Sequence, residues 1–397
     1  MSRRPISLST YLAAMRGAGA PVPVRAPRGD GPFLWVHASE AAEARALGTL
    51  LARLATQWPE IVTLRTGAWD TPDDALPPEA VGEIAAFLDH WRPDLALWSG
   101  LRLHPALLWE AADRDIPLLH VDPGGDPHNA PGPRWLPDTV PPTLALFDTI
   151  FLPDAAAERR LPRVSLGQAR IRRSGALTET TLPLDCNDDL LEEALAAVAG
   201  RPVWLAAHVR GSEARLVIEA HRRAARLSHR LLLALVPETP EDAAEADRTA
   251  ATSDLRLCRW DEGEMPDDTT QVVLCGGPED IGLWYRLAPL AFLGGSLAPG
   301  HGGTDPFEAA ALGTAILYGP NVGRHLGAYS TLVEAGAARI VRDEDSLSGA
   351  VSQLLAPDRA AAMAHAGWDI VSRGAAASDA VIDRIIELLE ARREAAG

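Results

Sequence analysis

Two turns of the sequence carry side chains able to do chemistry. The first reads Trp35-Val36-His37-Ala38-Ser39-Glu40-Ala41-Ala42-Glu43-Ala44. Its apolar run ends near His37, and Ser39 can cap the following helix, which puts Glu40 and Glu43 in the opening turn at an i, i+3 spacing on one face. A carboxylate held there at the mouth of a cleft can act as a general base; an acid at the same place can also do no more than complement the helix dipole. His37 is of a type more often packed than catalytic.

The second turn runs from Gly294-Gly295-Ser296 through Gly300, Gly302 and Gly303 to Thr304-Asp305-Pro306-Phe307-Glu308. Small residues let a ligand approach the backbone. Asp305 and Pro306 are an N-cap and a first-turn proline, so the segment predicts a helix whose amide groups face a phosphate. Glu308, one turn in, is placed to accept hydrogen bonds from ribose hydroxyls. A nucleotide-activated sugar uses all three features, whereas a structural turn has no use for the carboxylate.

The elements that must position these turns alternate strand and helix. In the first part, PFLWVHA, IVTLRT, DLALWS, IPLLHVD, ALFDTIFLP and ARIRRSGAL read as strands, with helices at 40–57, near 78–91 and near 105–113. The second part repeats the theme: RPVWLAAH, RLLLALVP, LRLCRW, TQVVLCG, LAFLGGS, AILYGP and RIVRD, with helices at 212–226, 239–250 and 306–313. Such alternation predicts parallel sheets covered on both faces. The expected organisation is a first Rossmann-like domain over 1–177, a linker with the first helix of the next domain over 178–200, and a second Rossmann-like domain over 201–397. DAVIDRIIELLEARREAA reads as a terminal amphipathic helix, and 123–142 as a long Pro/Gly-rich loop. In doubly wound halves ligands sit outside the C-terminal ends of strands, which is where both chemical turns fall.

Composition narrows the function. A chain of 397 residues exceeds one ordinary core. The net charge of -17, with no dense basic block, argues against a nucleic-acid partner. All basic residues are arginine, which excludes Schiff-base chemistry and a Walker-type phosphate lysine. Cys186, Cys258 and Cys275 are widely spaced, pointing to neither disulfides nor a zinc site and suiting a reducing compartment. Neither a signal-peptide core nor an uninterrupted apolar run of about 18 residues is present.

Three blocks together carry a resemblance. "AFLGGSLAPGHGGTDPFEAAALGTAILYGP" resembles the C-terminal signature "FVGGSL…GGHNPLEPAALG…GP" of the 3-deoxy-D-manno-octulosonic acid (Kdo) transferases. "WVHASEAAEA" is similar to that family's "WIHAVSVGEV", and "RPVWLAAHVRGSE" to its "RPVWIA-STHEGEE", in the same order along the chain. The resemblance implies a GT-B fold, two Rossmann-like doubly wound α/β domains facing each other across a cleft. It implies an inverting transfer of Kdo from a CMP-Kdo donor to a lipid A precursor, with no cofactor and no required metal, at the cytoplasmic face of the inner membrane with weak peripheral contact. Carried over by position, Glu43 is the catalytic base. Asp305, Pro306, Phe307 and Glu308 fall on the nucleotide-contacting "NPLE", Glu279, Asp280 and Ile281 on "GEL", and Gly295 and Ser296 give the donor access.

The chain also departs from the pattern. Pro237-Glu238-Thr239 stands where the family has Pro-Arg-His, so an acid replaces the base opposite the donor phosphate and repulsion is expected. Arg210, in the turn of the second domain, is a candidate to supply the missing charge, with Arg102 and Arg324 as alternatives from another side of the cleft. Two other readings stay open at this stage: a transferase using another nucleotide sugar, and a noncatalytic relative.

Overall fold

The computed structural model describes residues 10–11, 25–121, 138–161, 171–198 and 200–396. Most of the expected loop at 123–142 lies outside them. The chain divides into two compact units, one formed by Met1–Thr180 with Arg373–Gly397, the other by Thr181–Ser372.

The first unit contains strands β1 (Phe33–Ala38), β2 (Val62–Gly67), β3 (Leu95–Ser99), β4 (Leu118–Val121), β5 (Thr149–Leu152) and β6 (Ile171–Arg173). Between them lie helices α1 (Ala41–Gln57), α2 (Val81–Trp91), α3 (Pro105–Asp113), α4 (Val140–Leu144) and α5 (Ala155–Arg160). The strands pair in parallel in the order β2-β1-β3-β4-β5-β6. Every residue of β1 and β3 is buried, as strands covered on both faces must be. Alternate residues serve opposite faces. Leu34, Val36 and Ala38 pack with Leu47, Leu50 and Leu54 of α1, while Phe33 and Trp35 pack with Phe87, Leu88 and Trp91 of α2.

The second unit contains β7 (Val203–Val209), β8 (Leu232–Pro237), β9 (Leu257–Arg259), β10 (Val272–Leu274), β11 (Leu290–Leu293), β12 (Ala315–Tyr318) and β13 (Ala338–Ile340). Its helices are α6 (Asp188–Val198), α7 (Gly211–Ala225), α8 (Pro240–Ala251), α9 (Ile281–Leu287), α10 (Pro306–Ala311), α11 (Leu326–Glu334) and α12 (Glu344–Leu354). The parallel order is β13-β12-β11-β7-β8-β10-β9. Val203, Leu205 and Ala207 face the core under α9 and α10; Trp204 and Ala206 face α7 and α12.

The last helix, α13 (Pro357–Ala396), marks a difference from the expected organisation. The terminal helix was expected with the second domain, yet from Arg373 onward it groups with the first unit. Val381, Ile382, Ile385 and Leu389 are buried against the same sheet face as α1, so the amphipathic stripe completes the first core. The segment from Thr181 through α6 belongs to the second unit, where Ala194 and Val198 join its core. Helices α9, α11 and α12 were not anticipated, being short or lacking a broad apolar stripe. Among the described residues no helix is long and apolar enough to cross a membrane.

Growth of each sheet passes to the other side of its first strand between β1 and β3 in the first unit and between β7 and β11 in the second, where β10 also inserts between β8 and β9. At such switch points the connections leave in opposite directions and open a crevice beyond the strand ends. Both chemical turns lie there, Glu43 following β1 and the glycine loop following β11.

Candidate functional site

In the first unit, Glu43 is the third residue of α1 and only 9% exposed. Ser39 N and Glu40 N both donate to its Oε2, at 2.9 and 3.3 Å. Oε1 takes no backbone donor. Burial raises the pKa of the carboxyl, only partly opposed by those amides and by the Ser99 hydroxyl. Across the switch point, Gly100 has φ +107°, and a Cβ there would lie 2.7 Å from Glu43 Oε2 and 2.3 Å from Ser39 Oγ. Only glycine lets the end of β3 come this close to the acid. The N-cap is Glu40 and not Ser39 as expected, because Ser39 Oγ is turned to donate to Ser99 O at 3.0 Å, across to β3.

His37 is a packed histidine. Its ring lies 3.9 Å from the Trp98 ring, its Nδ1 is 3.2 Å from Thr66 Oγ1, and burial, helped by His104 and Arg102, lowers its pKa to about 3. It is therefore neutral near pH 7.

In the second unit the glycine turn is held by an acid that sequence reading passed over. Glu213, the third residue of α7 and 2% exposed, receives Gly295 N at 2.7 Å, Ser296 N at 3.1 Å, Leu297 N at 2.8 Å and Ala298 N at 3.3 Å, as well as Arg210 N at 3.1 Å. The loop amides therefore face a protein carboxylate. Ser296 is likewise committed, its hydroxyl donating to Leu293 O and accepting from Gly319 N. Gly294 allows the approach of β7, since a Cβ there would lie 2.4 Å from His208 O.

The expected phosphate site at the start of α10 is also occupied by the chain itself. Asp305 caps that six-residue helix by accepting from Phe307 N at 2.9 Å, Pro306 has no N–H, and Thr181 Oγ1 donates to the same carboxylate. Phe307 and Ile281 are core side chains, and Asp280 accepts from Trp260 Nε1 at 2.8 Å. A Cβ on Gly277 would lie 2.4 Å from Glu279 Oε2. The residues Glu279, Asp280 and Ile281 thus offer backbone and carboxylate edges rather than free side chains.

Glu308 enters an ion chain that crosses the end of the sheet. His208 Nδ1 donates to Glu238 Oε2 at 2.5 Å, and its Nε2 lies 3.4 Å from Glu308 Oε2 outside hydrogen-bond geometry. Arg210 reaches Glu238 Oε1 at 3.8 Å and Asp242 Oδ2 at 3.2 Å. Burial alone would lower the His208 pKa, but the two glutamates outweigh it and raise it to about 9, while the His208 hydrogen bond holds Glu238 below the ordinary carboxylate range. Glu238 is therefore paired with His208 and Arg210 and does not stand as a lone acid at this place. His208 was missed because RPVWLAAHV reads as a plain buried strand. Its place comes from an irregularity in the β7–β8 pairing between Ala206 and Val209 and from a φ of +54°.

Two parallel doubly wound α/β units, each with a buried acid or ion chain at its switch point, give the two-domain architecture of the GT-B glycosyltransferases. The family model for 3-deoxy-D-manno-octulosonic-acid transferase (kdotransferase) matches residues 16–178. Over 376 residues the chain is 23% identical to the 3-deoxy-D-manno-octulosonic acid transferase of Haemophilus influenzae, covering 90% of this chain and 87% of that protein. Over 392 residues it is 27% identical to that of Bordetella pertussis, with the same coverage of 90% and 87%. The solved C-terminal CMP-Kdo binding domain of WaaA from Acinetobacter baumannii is similar over 48% of this chain and 98% of that one, at 21% identity and a TM-score of 0.41. Residues 16–178 thus match the Kdo transferase model, and 90% of the chain is similar to Kdo transferases at 23–27% identity.

Two outcomes follow from the second-unit geometry. Removing the acid in Glu213→Ala strands five amides and costs about 3 kcal/mol or more in chemical denaturation, since each unpaired buried N–H is itself expensive. His208 has a folded pKa above its unfolded value of about 6.5, so its stabilisation is full below that pH and is lost as pH rises through about 9. Thermal melts across that window fall more steeply for the wild type than for His208→Gln.

Proposed function

We propose that this protein transfers Kdo from CMP-Kdo to a lipid A precursor, with inversion and without a required metal, from a weak peripheral position at the cytoplasmic face of the inner membrane. The observation that carries the reading is Glu43: a buried carboxylate with its proton affinity raised, one oxygen steadied by two amides and the other left without an amide, at the switch point of the first unit. In this reading Glu43 accepts the proton of the acceptor hydroxyl as its oxygen bonds to the anomeric carbon of Kdo. The bond from that carbon to the phosphate oxygen breaks, and CMP leaves with the electron pair. A base whose pKa lies nearer to neutrality than a surface glutamate has the driving force for this transfer.

On the donor side, Glu308 accepts from ribose hydroxyls, the backbone of Glu279, Asp280 and Ile281 borders the nucleoside, and Gly295, Ser296 and Asp305 to Phe307 form the wall against which it rests. Arg210 contributes positive charge towards the phosphate. The ion chain around Glu238 also favours a second reading, a transferase whose donor carries a different nucleotide, because cations balanced internally by acids differ from a lone phosphate-binding arginine.

In Glu43→Gln, Kdo transfer measured with radiolabelled donor falls by about 10²–10⁴-fold, the usual contribution of a general base, while thermal stability at neutral pH is unchanged or higher because a buried charge has been removed. Unchanged turnover would sink the role given to Glu43. The acidic limb of the wild-type kcat/KM profile lies above the ordinary glutamate range, following the raised pKa. For the donor, a thermal-shift panel of CMP, UDP and GDP gives its largest rise with CMP if the first reading holds, and with another nucleotide if the second does.

A further inference from the structure

We propose that His208, with Arg210 beside it, is the cation that meets the phosphate of a nucleoside phosphate bound at the second unit's switch point. The inference rests on the donor reading above and names the residue that reading lacks.

The groups expected to hold a phosphate here are already spent. The amides of Gly295, Ser296, Leu297 and Ala298 go to Glu213, the Ser296 hydroxyl bridges Leu293 and Gly319, and the Phe307 amide goes to Asp305. What remains at this end of the sheet is a pair of buried donors with no acceptor, His208 Nε2 and Arg210 Nε. His208 is the second-to-last residue of β7 and Arg210 the N-cap residue of α7, and both hold Glu238, so they stand on one side of the crevice. Arg210 Nε also lies 3.7 Å from where a Gly295 Cβ would be, which sets it against the glycine loop.

A buried donor on a cation without an acceptor is costly, and an anionic oxygen is the partner that relieves it most. His208 is also kept in a left-handed backbone conformation that a non-glycine residue rarely adopts. That conformation sends the imidazole between Glu238 and Glu308, two acids from different elements. The first fixes Nδ1 and maintains the charge. The second accepts from ribose, and the Nε2–H beside it, without a hydrogen-bond partner in the chain, is left for the phosphate. Glu238 and Asp242 each pair with a cation, which weakens their repulsion of the ligand, Asp242 also receiving Gly211 N at 2.8 Å and Thr239 Oγ1 at 2.9 Å.

Calorimetric titration of the full chain with CMP, cytidine, UDP and uridine tests this. The wild type binds CMP about tenfold or more tighter than cytidine, the value of one or more charge-assisted hydrogen bonds. His208→Gln brings the two within about threefold while leaving cytidine affinity unchanged, and adding Glu238→Arg, which moves the charge to the other side of the pair, restores the difference. Arg210→Gln shifts the same ratio in the same direction and serves if His208→Gln does not fold. A CMP preference intact in both single variants, or a loss shared equally by cytidine, overturns the proposal. Should the wild type prefer UDP, the cytidine donor is wrong, and His208 is judged on the UDP to uridine ratio instead. Binding of none of the four by the folded wild type overturns both.

Discussion

The second unit is organised around one buried carboxylate. Glu213 gathers five backbone N–H groups, four of them from consecutive residues of the glycine turn. Charge-assisted bonds of this kind are the strong ones, and losing any of them inside the protein leaves an amide without water. The loop after β11 is therefore shaped from within, by the helix after β7, and not by a ligand. Its closeness to β7 then requires Gly294, and the strand yields at His208 with a left-handed turn. The chemistry available at this switch point, two cations alternating with three acids, is a consequence of that arrangement.

The same motif in the first unit has a different outcome, which shows in how the two oxygens of the acid are engaged. Glu43 and Glu213 both occupy the third position of the helix that follows the first strand of their sheet, and both face a glycine on the neighbouring strand's turn. Glu213 has both oxygens filled by amides, so neither is left open to an outside group. Glu43 has its amides on one oxygen alone, and burial without full compensation raises its pKa. Sequence spacing is blind to this distinction. In either turn an acid in the first helical turn reads equally as a dipole complement or a base.

Much of the architecture was legible because it depends on period and punctuation. Runs such as FLWVHA and LLALVP, each ended by a polar turn and an alanine-rich helix, become parallel strands with the chemistry at their C-terminal ends. Three things were not legible, each for a physical reason. The stripe of Val381, Ile382, Ile385 and Leu389 states that a face is buried without stating against which sheet. The Asp305 cap looks like an open anion site, although the cap and Pro306 consume what that helix start would offer. And Glu238 read alone is a misplaced negative charge, because its partner His208 is distant in sequence and reaches it only through a bulge.

In the proposed reading, that pairing bears on how an acidic, lysine-free chain would receive an anionic substrate. With a net charge of -17 the long-range field works against a phosphate, so attraction must be local. A cation at the surface would be screened and solvated, worth little to a ligand that is itself well hydrated. Enclosing His208 between two glutamates keeps it charged well above its ordinary range, and enclosing Arg210 between Glu238 and Asp242 fixes its direction. The acids that make the site look hostile in sequence are thus what keep its cations charged, buried and aimed. In the proposed reading, an acid in place of an arginine leaves the cation to β7 and the residue that follows it.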